Sequence, residues 1–343
     1  MINSRKISRG LRLAASMVIL VLHNQTSLSA EQMAPNILIV SVDTLRADHL
    51  GCYGFEDKFI SPNIDKIAER GVLFEDTITT IGKTGPAFAS MFTSEYPPVT
   101  GARRNGLRIR PDISVMAGIL KRAGYTTAAI ISNWTLKSKL CGLARGFDYY
   151  DEKLPETRRG PIAKERSADN VTAAGIQWLK EKAQQPFLLW IHYSDPHAPY
   201  EYRKRFAVRI SEQSAKTNGA KKRRAYASEV RYTDHWIGEF LKEFSQKVPY
   251  DRTIIIFLSD HGESLGEHNY WGHGRNVLQP NLHIPLLIAG PGFPAGKRSN
   301  IPVSMVDILP TVLKSVGINA GNSHKGASVQ DLLSYAGAHE RLR

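Results

Sequence analysis

Two apolar runs that each stop at a carboxylate constrain this chain more than anything else in it. The first, Asn36 to Val42 (NILIVSV), ends at Asp43, and the second, Ile254 to Ser259 (IIIFLS), ends at the pair Asp260-His261. Continuous apolar, β-branched runs mark strands buried on both faces of a parallel sheet, and ligands gather beyond the carboxyl ends of such strands. More than 200 residues lie between Asp43 and Asp260, yet one sheet edge can hold both, with His261, around a single cation. The expected metal site is one that only the folded sheet assembles.

Further strands are expected at about 126–131, 187–192 and 284–289, beside 36–42 and 253–258. Ser61-Pro62, followed by Ile64, Ile67 and Gly71, combines a cap, a first-turn proline, apolar spacing and a glycine stop. Other helices fit 113–122, 164–184, 224–245 and 306–316. This alternation predicts an α/β fold, a mostly parallel central sheet with helices on both faces. A chain of 343 residues with 42% hydrophobic content can bury one large core or two modest ones.

The first thirty residues stand apart. Arg5, Lys6, Arg9 and Arg12 form a basic head, Leu13 to Leu22 an apolar centre, and Ser27 to Ala30 a small-residue exit. That pattern reads as a secretory signal peptide over 1–30, too short for a comfortable bilayer span, with an uncleaved tether as the other reading. It predicts export to the periplasm or the outside, with 31–343 as the mature chain and no stable membrane span after cleavage. Of the net charge of +13, the head supplies four and leaves +9, clustered at 103–110, 203–209 and 216–224. The stretch 201–224 reads as a basic insertion or mobile loop. Such a field attracts anionic partners, sulfated or phosphorylated glycans or envelope components among them, although a merely solvated face explains it as well. No nucleic-acid-binding module surrounds these charges, so nucleic acid is not the expected partner. Cys52 and Cys141 could pair in an oxidising compartment, while Cys52 also suits a small buried hydrophobe.

In chain order stand VDTLRADHLGCYG (42–54), TGPAFASMFTSEYP (84–97), GLARGFDYYD (142–151), WIHYSDPHAPY (190–200), SDHGESLGEH with GHG (259–274), and SMVDILPTVLKSVG (304–317). Together they resemble the sulfatase family of the alkaline phosphatase superfamily, from about residue 35 to about 333. The resemblance implies an alkaline-phosphatase-like fold that hydrolyses an anionic ester with one divalent metal ion (Mn, Zn or Ca), or with two. It puts the nucleophile at Thr84, two residues before a proline. A helix N-terminus there favours an anionic ester; a plain capping threonine is the other reading. The implied metal ligands are Asp43, Asp260, His261 and the Thr84 oxygen. An imidazole among them shifts preference away from Ca.

The same resemblance gives Asn105 a role in donating to a non-bridging ester oxygen, with Arg103 or Arg104 adding charge, although Asn-Gly also makes a turn. His197 would face the ester as general acid or hydrogen-bond its oxygen, and His192, grouped with the substrate-binding residues, reads as a supporting or structural histidine because it lies inside the strand run. Asp195 suits either a second metal or a turn. His273 falls where similar enzymes carry a lysine near the leaving group, as acid, charge stabiliser or second-metal ligand. Glu267 and His268 read as solvated loop residues.

Three departures bear on the reaction. The chain lacks the Cys-x-Pro-x-Arg that sulfatases convert to formylglycine, and Phe88 stands where the arginine is expected. Asp43 is followed by Thr44 instead of a second aspartate. The family's smaller C-terminal subdomain is expected to be reduced or missing. A sulfated threonine has no elimination route, whereas a phosphorylated one is cleared by water attacking phosphorus. The expected reaction is therefore hydrolysis of sulfate esters or related phosphate esters through Thr84. A phosphodiesterase, a phosphoalcohol transferase and a non-catalytic sulfatase-like binding protein remain as alternatives.

Overall fold

The computed structural model describes residues 34–155, 165–210, 219–319 and 324–340, with side chains to 335. The leader-like residues 1–30 and residues 211–218 of the basic stretch lie outside the described residues. Among the described residues the strands are β1 (Asn36–Val42), β2 (Gly71–Phe74), β3 (Thr77–Ile78), β4 (Thr126–Ile130), β5 (Tyr149–Asp151) and β6 (Phe187–Tyr193). They continue as β7 (Thr253–Ser259), β8 (Ser264–Leu265), β9 (Trp271–Gly272), β10 (Leu286–Ala289), β11 (Lys297–Ser299) and β12 (Val303–Ser304).

Eight of them make one sheet in the order β11-β2-β10-β7-β1-β6-β4-β5. The middle strands β1, β6 and β7 are buried at every residue, which is what their unbroken apolar sequences require. From β7 to β5 all neighbours are parallel; β10 runs antiparallel to both β7 and β2. The sheet is thus mostly parallel, as expected, with one reversed strand. The short strands β2, β5 and β11 carry too few residues to show a period, and the sequence pattern did not reveal them.

The longer helices are α1 (Pro62–Glu69), α2 (Thr84–Thr93), α3 (Met116–Arg122), α4 (Ala168–Glu181), α5 (Ala220–Lys247), α6 (Ile308–Ser315) and α7 (Val329–Glu340). Side chains alternate across β1. Leu38, Val40 and Val42 pack with Ile64 and Ile67 of α1, Val171 and Trp178 of α4, and Ile237 and Phe240 of α5. On the opposite face Trp190 donates from its indole nitrogen to Ser41 Oγ at 2.8 Å, and Phe88 and Phe92 of α2 sit 4.9 and 4.8 Å from the same ring. Helices therefore cover both faces, and Ser41 shares its face with α2.

α5 starts at Ala220, so Lys221, Lys222, Arg223 and Arg224 form its opening turns and are not loop residues. Beyond α6 the described residues add one helix, α7. Cys52, half-buried, and Cys141, buried, are both free. No helix among the described residues is long and apolar enough to cross a membrane.

The start of α1 departs from the sequence expectation. Pro62 does open the helix, but Ser61 Oγ turns away to accept from the Gly51 N–H and donate to Asp65. Asp234, buried in α5, caps α1 from outside: its Oδ1 accepts from the N–H groups of Asn63 (3.0 Å) and Ile64 (2.8 Å). A buried N–H left without a partner costs about 1–3 kcal/mol. Asp234→Ala should lower the unfolding free energy in urea by about 2–3 kcal/mol, and Asp234→Asn by less, since one oxygen acceptor survives. A loss below about 0.5 kcal/mol for the alanine variant would mean that solvent replaces the cap.

Candidate metal centre and active site

Register brings the acids together. β1 and β7 pair in parallel with Val42 opposite Ser259, so Asp43 and Asp260 each stand one residue past the ladder. Adjacent strands lie about 4.8 Å apart, so this register sets two carboxylates side by side. On its other side β1 places Ser41 opposite His192. Asp43, Asp260 and His261 are all fully buried.

Each of the three has one atom engaged and one turned inward. Asp43 Oδ2 accepts from Asn133 Nδ2 at 2.6 Å. Asp260 Oδ1 accepts from the N–H groups of His261 (2.9 Å) and Thr44 (3.3 Å). His261 Nδ1 lies 2.9 Å from the Gly262 carbonyl, which can only accept, so Nδ1 carries the hydrogen and Nε2 the lone pair. Asp43 Oδ1, Asp260 Oδ2 and His261 Nε2 are buried without a hydrogen-bond partner. His261 Nε2 stands 3.8 Å from Asp43 Oδ1 and 3.3 Å from Asp260 Oδ2, and one ligand atom from each residue lies within 4.8 Å of the others. Two acid oxygens and an imidazole lone pair fit a divalent cation, and the nitrogen suits Mn or Zn better than Ca. The carbonyl behind His261 is the support a metal-bound imidazole usually has. Among the described residues no second cluster of three such ligands forms.

Burial sets the charges. It pushes Asp43 up to about 7, helped by the neighbouring Asp260 charge, and Asp260 up to about 6 against the N–H groups that bond it. Burial, with His273 nearby, lowers His261 to about 4, and burial lowers His192 to about 3, so both imidazoles are neutral.

Thr84 is the first residue of α2, after Lys83 at the cap position, and neither of these side chains caps the helix; the capping role foreseen for Thr84 as an alternative is absent. Thr84 is buried. Asn105 Oδ1 accepts from the Gly85 N–H at 2.9 Å, so this amide holds the start of α2 by its oxygen. A Cβ on Gly274 would come within 3.0 Å of Gly82 O, so only a glycine lets the loop after His273 lie against the segment leading to Thr84. One turn along α2, Phe88 rests edge-on against His192, with ring centroids 5.2 Å apart. The segment leading into α2 thus lies against the His273 loop, and the next turn of the helix against His192 at the end of β6. Arg103 and Arg104 are exposed on the loop that carries Asn105.

Two imidazoles with carboxylate partners flank the cluster. His197 Nδ1 is 2.9 Å from Glu165 Oε1, and His273 Nδ1 is 3.1 Å from Glu263 Oε1. Their rings lie 5.2 Å apart, and the His273 ring is 4.4 Å from that of His261. Burial opposes charge on both, but Glu165 outweighs it and lifts His197 to about 10, and Glu263 likewise raises His273. A cavity of about 720 Å³ opens beside His197. Asp195 lines it, paired with Arg203 at 3.4 Å, and burial pushes this acid up to about 7. Glu267, expected in solvent, instead pairs with buried Arg46 at 2.5 Å and accepts the Leu265 N–H; His268 is exposed. Sequence reasoning missed Asn133, Glu165 and Glu263. Asn133 carried a usable signal, a polar residue just past the expected strand 126–131.

The sulfatase family profile matches residues 35–318. Among curated proteins, a choline-sulfatase of Rhizobium meliloti (strain 1021) is 26% identical over 83% of this chain and 68% of its own length. An ulvan-active sulfatase of Formosa agariphila is 27% identical over 88% of this chain and 66% of its own. The chain spans about two thirds of the length of these relatives. Among solved structures, one in complex with its substrate D-glucosamine-2-N,6-O-disulfate aligns with a TM-score of 0.70 at 21% identity, covering 88% of this chain and 80% of that one. A phosphonate monoester hydrolase of Agrobacterium radiobacter aligns with a TM-score of 0.68 at 22% identity, covering 86% and 76%. These likenesses establish the fold: a mostly parallel, alkaline-phosphatase-like sheet with its helices.

A cation at this cluster must displace protons from Asp43 and Asp260, whose values of about 7 and 6 straddle the neutral range. Affinity for Mn²⁺ should therefore fall as the pH drops from 8 to 5.5, with about one proton released per ion near pH 6.5. Calorimetry in two buffers of different ionisation enthalpy measures both. Affinity independent of pH would mean that the ion binds elsewhere.

Proposed function

The chain belongs to the sulfatase family, and on that premise we propose an exported, metal-dependent hydrolase that cleaves sulfate esters or chemically related phosphate esters through Thr84. One observation carries the proposal: three buried groups from two distant strand ends each turn an unpartnered ligand atom to one point. Asp43, Asp260 and His261 would hold the ion, and the Thr84 oxygen would join them. A divalent ion there would lower the pKa of the hydroxyl and offset charge on the transferring group. Sulfatase relatives with named sulfate substrates support an anionic ester as the substrate, and the leader-like first thirty residues support export to the periplasm or beyond.

The residues divide the work as follows. Thr84 would release its hydroxyl proton to solvent water, its oxygen stabilised by the ion, and attack sulfur or phosphorus as the bond from that atom to the ester oxygen breaks. The leaving oxygen takes a proton from His197, which its pair with Glu165 keeps charged at neutral pH. His273 adds positive charge on the same flank. The leaving group occupies the cavity beside His197. Water then attacks the esterified Thr84 at the same sulfur or phosphorus, releasing the anion. Because that second attack is facile at phosphorus, the threonine favours phosphate mono- or diesters turning over at least as well as sulfates.

Aryl sulfate, aryl phosphate and a phosphodiester, each assayed with Mn²⁺, Zn²⁺ and Ca²⁺ supplied separately, should show turnover with Mn²⁺ or Zn²⁺ above that with Ca²⁺. Thr84→Ala should lose at least about a thousandfold in kcat, while Thr84→Ser stays within about tenfold. Undiminished activity in the alanine variant would remove Thr84 from the mechanism. His197→Gln should slow an alkyl ester about 10²–10⁴-fold and an activated aryl ester much less, because only the alkyl oxygen needs a proton to leave. Equal losses on both esters would contradict the acid role.

A further inference from the structure

His192 is fully buried and its Nε2 has no hydrogen-bond partner, although it lies 4.0 Å from Asp43 Oδ2. Its Nδ1 is fixed at 2.8 Å from Ser132 Oγ, and Ser132 Oγ is in turn 2.8 Å from Ser194 Oγ. The edge of Phe88 and the ring of Trp190 close the remaining sides. Two tautomers of this neutral imidazole are open. With the hydrogen on Nδ1, the Nε2 lone pair would face a carboxylate oxygen across a water-free gap, a repulsive arrangement in low dielectric. With the hydrogen on Nε2, an N–H dipole points at that oxygen and Nδ1 accepts from the Ser132 hydroxyl.

We propose that Ser194, Ser132 and His192 form a hydroxyl–imidazole relay that aims an N–H at Asp43 Oδ2 and so holds Asp43 with Oδ1 facing the cation. Electrostatics fixes every direction in it. Ser194 donates to Ser132, Ser132 to His192 Nδ1, and His192 Nε2–H turns to the carboxylate. Asn133 holds the same oxygen from another side at 2.6 Å. His192 is then a positioning residue that acts through Asp43, which gives the supporting role suggested by its place in the strand run a specific target. The inference rests on the cation reading of the Asp43, Asp260 and His261 cluster.

The test uses the whole protein and Mn²⁺ alone, with no ester present. Histidine-labelled protein gives the tautomer directly by long-range proton–nitrogen correlation, and a His192→Gln spectrum assigns the signal. The expected result is a neutral ring protonated at Nε2; a ring protonated at Nδ1 overturns the proposal. By calorimetry His192→Leu and Ser132→Ala should each weaken Mn²⁺ binding about 10–100-fold, and His192→Gln, which keeps a donor, should weaken it less. Melting with and without Mn²⁺ separates this from simple loss of packing. The leucine variant should keep most of its metal-free melting temperature and lose most of the shift Mn²⁺ gives the unmodified protein. Variants that bind Mn²⁺ within twofold of the unmodified protein would sink the relay alone. An unmodified protein that binds no Mn²⁺ would sink the cation reading beneath it.

Discussion

Everything at this site follows from one coulombic problem. A parallel register with Val42 opposite Ser259 delivers Asp43 and Asp260 to the same level of a sheet whose interior excludes water. Two like charges within 4.8 Å repel by about 3 kcal/mol or more at an effective dielectric near 20. Strands buried on both faces cannot relieve this with solvent. The fold answers in part by giving each acid N–H donors: Asn133 for Asp43, and the main chain of Thr44 and His261 for Asp260. What stays unanswered is one oxygen on each acid and one imidazole lone pair, all turned to a common point. A divalent cation would remove the repulsion and satisfy the three atoms together.

The two faces of the sheet then serve different ends. α1, α4 and α5 bury the even-numbered side chains of β1 in an apolar layer whose main polar device is the Asp234 cap. The other face carries a polar seam through Ser41, Trp190 and His192, on which α2 lies with Thr84 at its first turn. A helix start brought against a sheet edge supplies a partial positive charge where an anionic ester would dock. Phe88 closes one side of His192, whose burial, with His197 and His261 nearby, lowers its pKa.

How much of this the sequence disclosed depended on the range of each signal. The ends of β1 and β7 were legible because a long apolar run stopping at Asp43 or Asp260 has few other readings. β2 was hidden because its four residues begin at Gly71, the glycine that reads as the stop of α1. The cap of α1 was misread for a related reason. A local serine was available, but Asp234 comes from 170 residues further along the chain and no sequence pattern announces such a partner. Glu165 is a case of the same kind, a carboxylate whose purpose shows only once its imidazole lies beside it. Asn133 follows a strand just as Asp43 does. It was passed over because an amide after a strand resembles a turn, whereas an acid there demands an explanation.

The pairing of His197 with Glu165 also decides how a threonine could work twice in one cycle. In the proposed cycle a charged His197 would first give a proton to the departing oxygen. It would then be neutral beside Glu165 when water attacks the esterified Thr84, and the same imidazole would take the proton of that water, so that the second displacement mirrors the first. Such symmetry suits a centre attacked in line twice by oxygen nucleophiles, which phosphorus accepts readily. Sulfate turnover through the same threonine would need the site to lower a harder second barrier with identical groups, and on the proposed mechanism that comparison would favour phosphate esters.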